Sequence, residues 1–222
     1  MDALGLLFLV LAALAPAIPM VVERIRRPRI EIDARPWTPS NPLPWTFAVV
    51  NVRGRPLPRL LAWLVRHVAA GCTVTLECRR CGEGSFPEVP GHWSSRLDPL
   101  KIEPVVPDGP DSPATPASAS SSGAAQAQWV FDPSMIPQTL TLDLAPGRWE
   151  QLAVSVLRHG GDAYAWGAES YAYPSVASPA WKLERGAYEV TVRVESSGIV
   201  ATRVFKLDSL GGDFARFRFT PL

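Results

Sequence analysis

The chain has 222 residues, 47% hydrophobic and 19% charged, with a net charge of +1 and 23 prolines. That balance belongs to a globular protein and excludes a disordered or collagen-like chain, and so many prolines exclude a bundle of long helices. Residues 1–106 hold 13 Lys+Arg against 9 Asp+Glu, residues 107–222 hold 9 against 12, and no acid lies between Asp33 and Glu77. The net negative carboxyl half argues against a nucleic-acid partner, because it repels phosphates.

Residues 3–22 (ALGLLFLVLAALAPAIPMVV) carry no charge. At helical rise this run matches the ~30 Å hydrocarbon core of a bilayer, so it predicts an N-terminal transmembrane anchor over 1–23, kinked by Pro16 and Pro19. A cleavable signal peptide competes, with Ala13-Leu14-Ala15 or Ala15-Pro16-Ala17 as its cleavage site. Such a peptide wants cations before its apolar core, and only Met1 and Asp2 precede this one. The cations follow it, at Arg24, Arg26, Arg27 and Arg29. By the positive-inside rule they put the N-terminus outside and the following domain in the cytoplasm; the reverse orientation makes that domain extracellular. Residues 24–44, with Pro28, Pro36, Pro39, Pro42 and Pro44, read as a basic, Pro-rich extended connector.

Further along, Ile30 and Ile32 alternate with charged residues as in a short strand, and Trp45 to Val52 reads as a full one. Leu57, Leu60, Leu61, Leu64, Val65 and Val68 recur at helical spacing up to Gly71. This predicts one short basic helix, either capping the end of a sandwich or lying on an anionic membrane surface. Cys72 to Cys78 is the next strand. Residues 104–128 are mostly Pro, Ser, Ala, Gly and Thr, with Val105 and Val106 their only large apolar residues, the composition of a disordered insertion. Thr139–Leu144 and Leu152–Leu157 predict a hairpin across Ala145-Pro146-Gly147, followed by short strands at Ala163–Trp166 and Phe214–Phe219.

The clearest stretch is Leu183 to Leu207. Tyr188, Val190, Val192 and Val194 alternate with Glu189, Thr191, Arg193 and Glu195, and Ser196-Ser197-Gly198 turns the chain back into a second apolar strand. With many short strands and no βαβ rhythm, residues 45–222 are expected to form an all-β antiparallel sandwich.

Within that stretch, Leu183-x-x-Gly186-x-Tyr188-x-Val190 resembles the entry to the penultimate strand of fibronectin-type and immunoglobulin-like sandwiches, where a corner tyrosine bonds to backbone upstream. Tyr188 is the matching residue. The anchor followed by Ile-Arg-Arg-Pro-Arg-Ile-Glu-Ile, then Phe-Ala-Val-Val-Asn-Val, Leu-Ala-Trp-Leu leading to Ala-Ala-Gly-Cys72, His92-Trp93-Ser94-Ser95 and this hairpin resembles a group of uncharacterised prokaryotic single-span membrane proteins with such a sandwich. The resemblance implies an immunoglobulin-like fold and a membrane location, and it carries no activity.

Two sets of residues offer chemistry. Cys72, Cys78, Cys81 and His92 have the spacing C-x5-C-x2-C-x10-H, which offers a Cys3His zinc or redox site. Against this, Cys72, Val74, Leu76 and Cys78 share one face of a strand, as packing residues do. Tyr164, Trp166, Tyr171, Tyr173 and Trp181 crowd one connection, which reads either as a contact surface for a protein or sugar or as packing over a sheet. Ser155, His159 and Asp162 lack a strained nucleophile elbow, and no phosphate-cradling glycine loop is present. The expected function is therefore non-enzymatic: a membrane-anchored sandwich that binds or scaffolds a protein. Its alternatives are an extracellular adhesion or carbohydrate-binding sandwich and the zinc or redox module.

Overall fold

The computed structural model describes residues 15–34, 45–61, 63–81, 87–104, 127–158, 161–173, 177–209 and 217–222. Most of the expected anchor (1–14), the second part of the Pro-rich connector (35–44), most of the insertion (105–126) and His159 lie outside them. From the apolar run, helix α1 (Ala17–Arg26) is seen, with Pro16 at its N-cap and Pro19 in its first turn, where a missing N–H costs nothing. Among the described residues no helix is long and apolar enough to cross a membrane.

Two antiparallel sheets pack face to face. The first contains β1 (Ile30–Ala34), β2 (Trp45–Gly54), β9 (Trp149–Arg158), β10 (Ala163–Ala165) and β11 (Lys182–Leu183) in that order, with β5 (His92–Trp93) also against β9. In the second, β14 (Phe217–Pro221), β13 (Ile199–Ser209), β12 (Gly186–Ser196), β3 (Ala69–Arg80) and β4 (Val89–Pro90) are neighbours, and β8 (Leu142–Leu144) pairs with β3. A separate ribbon of β6 (Leu100–Pro104) and β7 (Ala127–Phe131) closes on itself at the two ends of the 105–126 segment.

The hairpin over 183–207 forms as its alternation predicts. Ser196 pairs with Ile199 across a Ser197-Gly198 turn, and Gly198 takes a φ of 76°, which a side chain disfavours. Tyr188, Val190, Val192 and Val194 are fully buried in one core that also holds Val50, Val52, Leu152 and Val154 of the first sheet. Each such aliphatic side chain contributes about 1.5–3 kcal/mol relative to an exposed one. Tyr188 donates its hydroxyl to the Glu184 carbonyl at 2.9 Å, the corner bond anticipated from its sequence context.

Two expectations are overturned. Among the described residues the amphipathic helix over 57–71 does not form: a 3-10 turn, Arg59–Leu61, and a turn closed by the Leu64 N–H on the Leu61 carbonyl at 2.9 Å lead into irregular chain that enters β3 at Ala69. Pro56 and Pro58 remove two helical donors, and Arg66 and His67 bond to α1 instead of to their own turn. The Thr139–Leu144/Leu152–Leu157 hairpin is likewise not formed, although Ala145-Pro146-Gly147 does turn the chain. Residues Ile136–Leu140 form a short helix, α2, and Leu142–Leu144 pairs with β3 in the opposite sheet from β9. The last strand is seen from Phe217, with 210–216 outside the described residues.

Candidate functional site

The aromatic connection divides between three environments. Trp181, on a 3-10 turn just before β11, is buried in the main core. Trp166 is buried on the other face of the first sheet, over Ala153 and Val156. There it stands edge-on to Phe47 at 5.1 Å and to Tyr171 at 5.2 Å, and Tyr171 in turn lies 5.6 Å from the His92 ring. This outer cluster exists because β9 is bulged. Ala48 pairs with Ser155 while Val49 pairs with Ala153, so Val154 is the extra residue and β9 stays buried on both faces.

Tyr171 donates its hydroxyl to Asp98 Oδ1 at 2.6 Å, and burial together with that carboxylate raises its pKa. Tyr164 is half-buried at the edge of the same cluster. Tyr173 alone of the five is exposed, at 40% of its surface. The expected contact surface is thus reduced to Tyr173 with the rims of Tyr164 and Tyr171, while Trp166 and Trp181 hold structure.

The proposed zinc set is not brought together. Cys72 and Cys78 sit six residues apart on one extended strand, about 20 Å at strand rise, far beyond the span of one tetrahedral ion. Both are buried, and Cys72 donates its thiol to the Ala69 carbonyl at 3.2 Å. Burial pushes the Cys78 thiol up to about 12, which keeps it a protonated packing residue. Cys81 is exposed at the end of β3, and His92 belongs to the other sheet. Among the described residues no three potential ligands are close enough to hold a metal.

His92 is the member of the aromatic cluster whose ordinary titration falls near neutral pH. Its Nε2 is buried without a hydrogen-bond partner, 3.8 Å from Asp98 Oδ1. Desolvation lowers its pKa, and the Leu97 backbone and Asp98 only partly oppose this. Above the ordinary imidazole value of about 6.5 the ring is neutral folded or unfolded, and stability is unaffected. As pH falls through that value the unfolded chain takes up a proton that the folded chain refuses, so stability drops by up to about 1.4 kcal/mol per pH unit until the lowered folded pKa is passed. His92→Gln should flatten that part of a stability curve measured by urea unfolding between pH 7 and 5. An unchanged slope would mean that the carboxylates alone set it.

The basic residues after the apolar run are built into the domain. Val65 O accepts from Arg26 Nε at 2.9 Å, the Arg26 carbonyl accepts from the His67 N–H at 2.8 Å, and the Arg27 carbonyl accepts from Arg66 at 2.8 Å. The His67 ring lies 3.0 Å from Glu23, and the Arg55 N–H donates to the Arg29 carbonyl at 2.8 Å. Two carbonyls at the end of α1, which the helix cannot satisfy itself, are therefore taken by Arg66 and His67. Arg66 is buried, and that burial with the nearby Arg29 and Arg55 lowers its pKa. This joint was not foreseen from the sequence. The acid-free stretch from Asp33 to Glu77 was its only signal.

No family model, curated protein or solved structure matches the chain. A surface hollow of about 330 Å³ between Gly71, Thr73 and residues 195–200 has Glu195 as its single titratable lining group, and Glu195 is ion-paired with Arg193. A smaller one of about 150 Å³, beside Ser95–Leu97 and Met135, has only Arg96, whose Nε bonds to the Thr141 carbonyl at 2.9 Å.

Proposed function

We propose that this chain is a membrane-anchored, non-enzymatic β-sandwich module of immunoglobulin-like kinship that binds or scaffolds another protein at the cytoplasmic face of a membrane. The observation that carries the reading is the joint at Arg26, Arg27, Arg66 and His67. An uncharged run of bilayer length leads into a helix whose end is hydrogen-bonded to the sandwich, so an anchor here holds the domain at a fixed pose on the membrane. The corner bond of Tyr188 supports the immunoglobulin-like kinship. Three thiols with two of them packed into the core suit a reducing compartment, and the arginines at 24, 26, 27 and 29 favour the same side.

Cys81 supplies a native reporter of sidedness. A membrane-impermeant maleimide should label it only after cell lysis, and Cys72 and Cys78 only after denaturation, with Cys81→Ser as the control. Labelling of Cys81 on intact cells would reverse the orientation and bring the extracellular adhesion reading forward. A chain released by alkaline carbonate would remove the anchor.

A further inference from the structure

The segment that was expected to be a helix carries a surface with no use inside the fold. Leu60 is 91% exposed, Trp63 75% and Val65 70%, with Val68 also exposed. Isolated exposed apolar residues are ordinary, but four within nine positions, one of them tryptophan, concentrate exposed apolar surface on one short segment. The acids beside it are engaged, Glu23 with the His67 ring and Glu31 with Arg53 and Arg55, and the charges left over are basic. Arg24, Arg27, Arg29 and Arg59 make no ion pair among the described residues, and Arg66 is buried with its Nε unpartnered.

We infer that this face, Leu60 to Val68 with its flanking arginines, lies on the headgroup layer of an anionic phospholipid bilayer, with Leu60, Trp63 and Val65 dipping into the interface. The inference rests on the anchor reading, and the joint fixes its geometry. Glu23, which holds the His67 ring, directly follows Val22, the last residue of the uncharged run. Arg26, bonded to Val65 and His67, is four residues past that point, about 6 Å along a helix axis. If residues 3–22 span the hydrocarbon, residues 65–67 are at headgroup depth. Tryptophan is favoured at that depth because its ring is apolar and its N–H wet. The nearby arginines are drawn to an anionic surface. Glu23, the one acid at the joint, faces His67. A protein partner is less suited, because an extended loop beside the end of an anchor has the lipid surface next to it at all times.

The test uses the full chain with Cys81→Ser, carrying Leu60→Cys or Trp63→Cys labelled with an environment-sensitive fluorophore, and Val200→Cys at the exposed start of β13 as the control. Each is reconstituted into phosphatidylcholine vesicles with or without phosphatidylglycerol, and into vesicles containing shallow brominated lipid. Emission from positions 60 and 63 should be blue-shifted and quenched by the brominated lipid, more so with phosphatidylglycerol, while position 200 stays water-like. Water-like emission at 60 and 63 in protein that floats with the vesicles overturns the inference and leaves the anchor intact. A blue shift insensitive to brominated lipid also overturns it, in favour of coverage by protein. Failure of the chain to float with vesicles removes anchor and inference together.

Discussion

Trp93→Ala should unfold this protein or leave it barely stable. Trp93 is fully buried in the main core, on the two-residue strand β5 that pairs with Leu152 of β9. Its indole N–H is shared between the Cys72 and Leu140 carbonyls, each at 3.2 Å, so one side chain in the first sheet ties down β3 of the second sheet and the end of α2. Truncating a buried tryptophan costs about 3–5 kcal/mol in lost burial and cavity. The buried Cys72 carbonyl and the part-buried Leu140 carbonyl lose a donor as well, at about 1–3 kcal/mol for a buried group left without any partner. Against a total stability of about 5–15 kcal/mol this is a large fraction. Trp93→Phe keeps most of the packing and loses only the shared hydrogen bond, so its urea midpoint should lie between those of wild type and the alanine variant. An alanine variant within about 1 kcal/mol of wild type would mean that the core at Trp93 collapses around the gap, and the tie would then carry no special weight.

What the sequence made legible follows from the range of the interactions. The hairpin over 183–207 is a local object: its alternation, its Ser-Gly turn and the corner tyrosine all refer to residues within a few positions, and each is found as anticipated. The segment after Pro58 shows the opposite case. Leu57, Leu60, Leu61, Leu64, Val65 and Val68 have helical spacing, yet the hydrogen bonds that decide their conformation come from Arg26 and Arg27, 39 residues away in the chain. No periodicity carries that information, because spacing records a face and not what covers it. The same holds at Leu144, whose strand turns toward β3 rather than β9, since alternation does not say which sheet a strand joins. In the candidate site the aromatic group was visible, but its division was not. Whether Trp166 meets solvent depends on the bulge at Val154 and on Tyr171 reaching Asp98, both tertiary events.

That division yields the second large effect. Trp166→Ala should cost about 3 kcal/mol, the low end of the range for a buried tryptophan, because Phe47 and Tyr171 pack against it at a rim where they can relax inward. Tyr173→Ser touches an exposed ring and should stay within about 0.5 kcal/mol of wild type. If the connection is a contact surface, the order reverses for binding. Tyr173→Ser should lose at least about 2 kcal/mol of partner affinity, as an aromatic anchor does, with its urea midpoint unchanged. Trp166→Ala should lose affinity only at temperatures where it begins to unfold. Tyr171→Ser cannot separate the two roles, since it removes the bond to Asp98 and the contacts to Trp166 and His92 together. Should Tyr173→Ser co-purify the same partners as wild type while an equally stable substitution in the Leu60 to Val68 face does not, the aromatic connection is packing alone and the membrane-side face is where the partner is met.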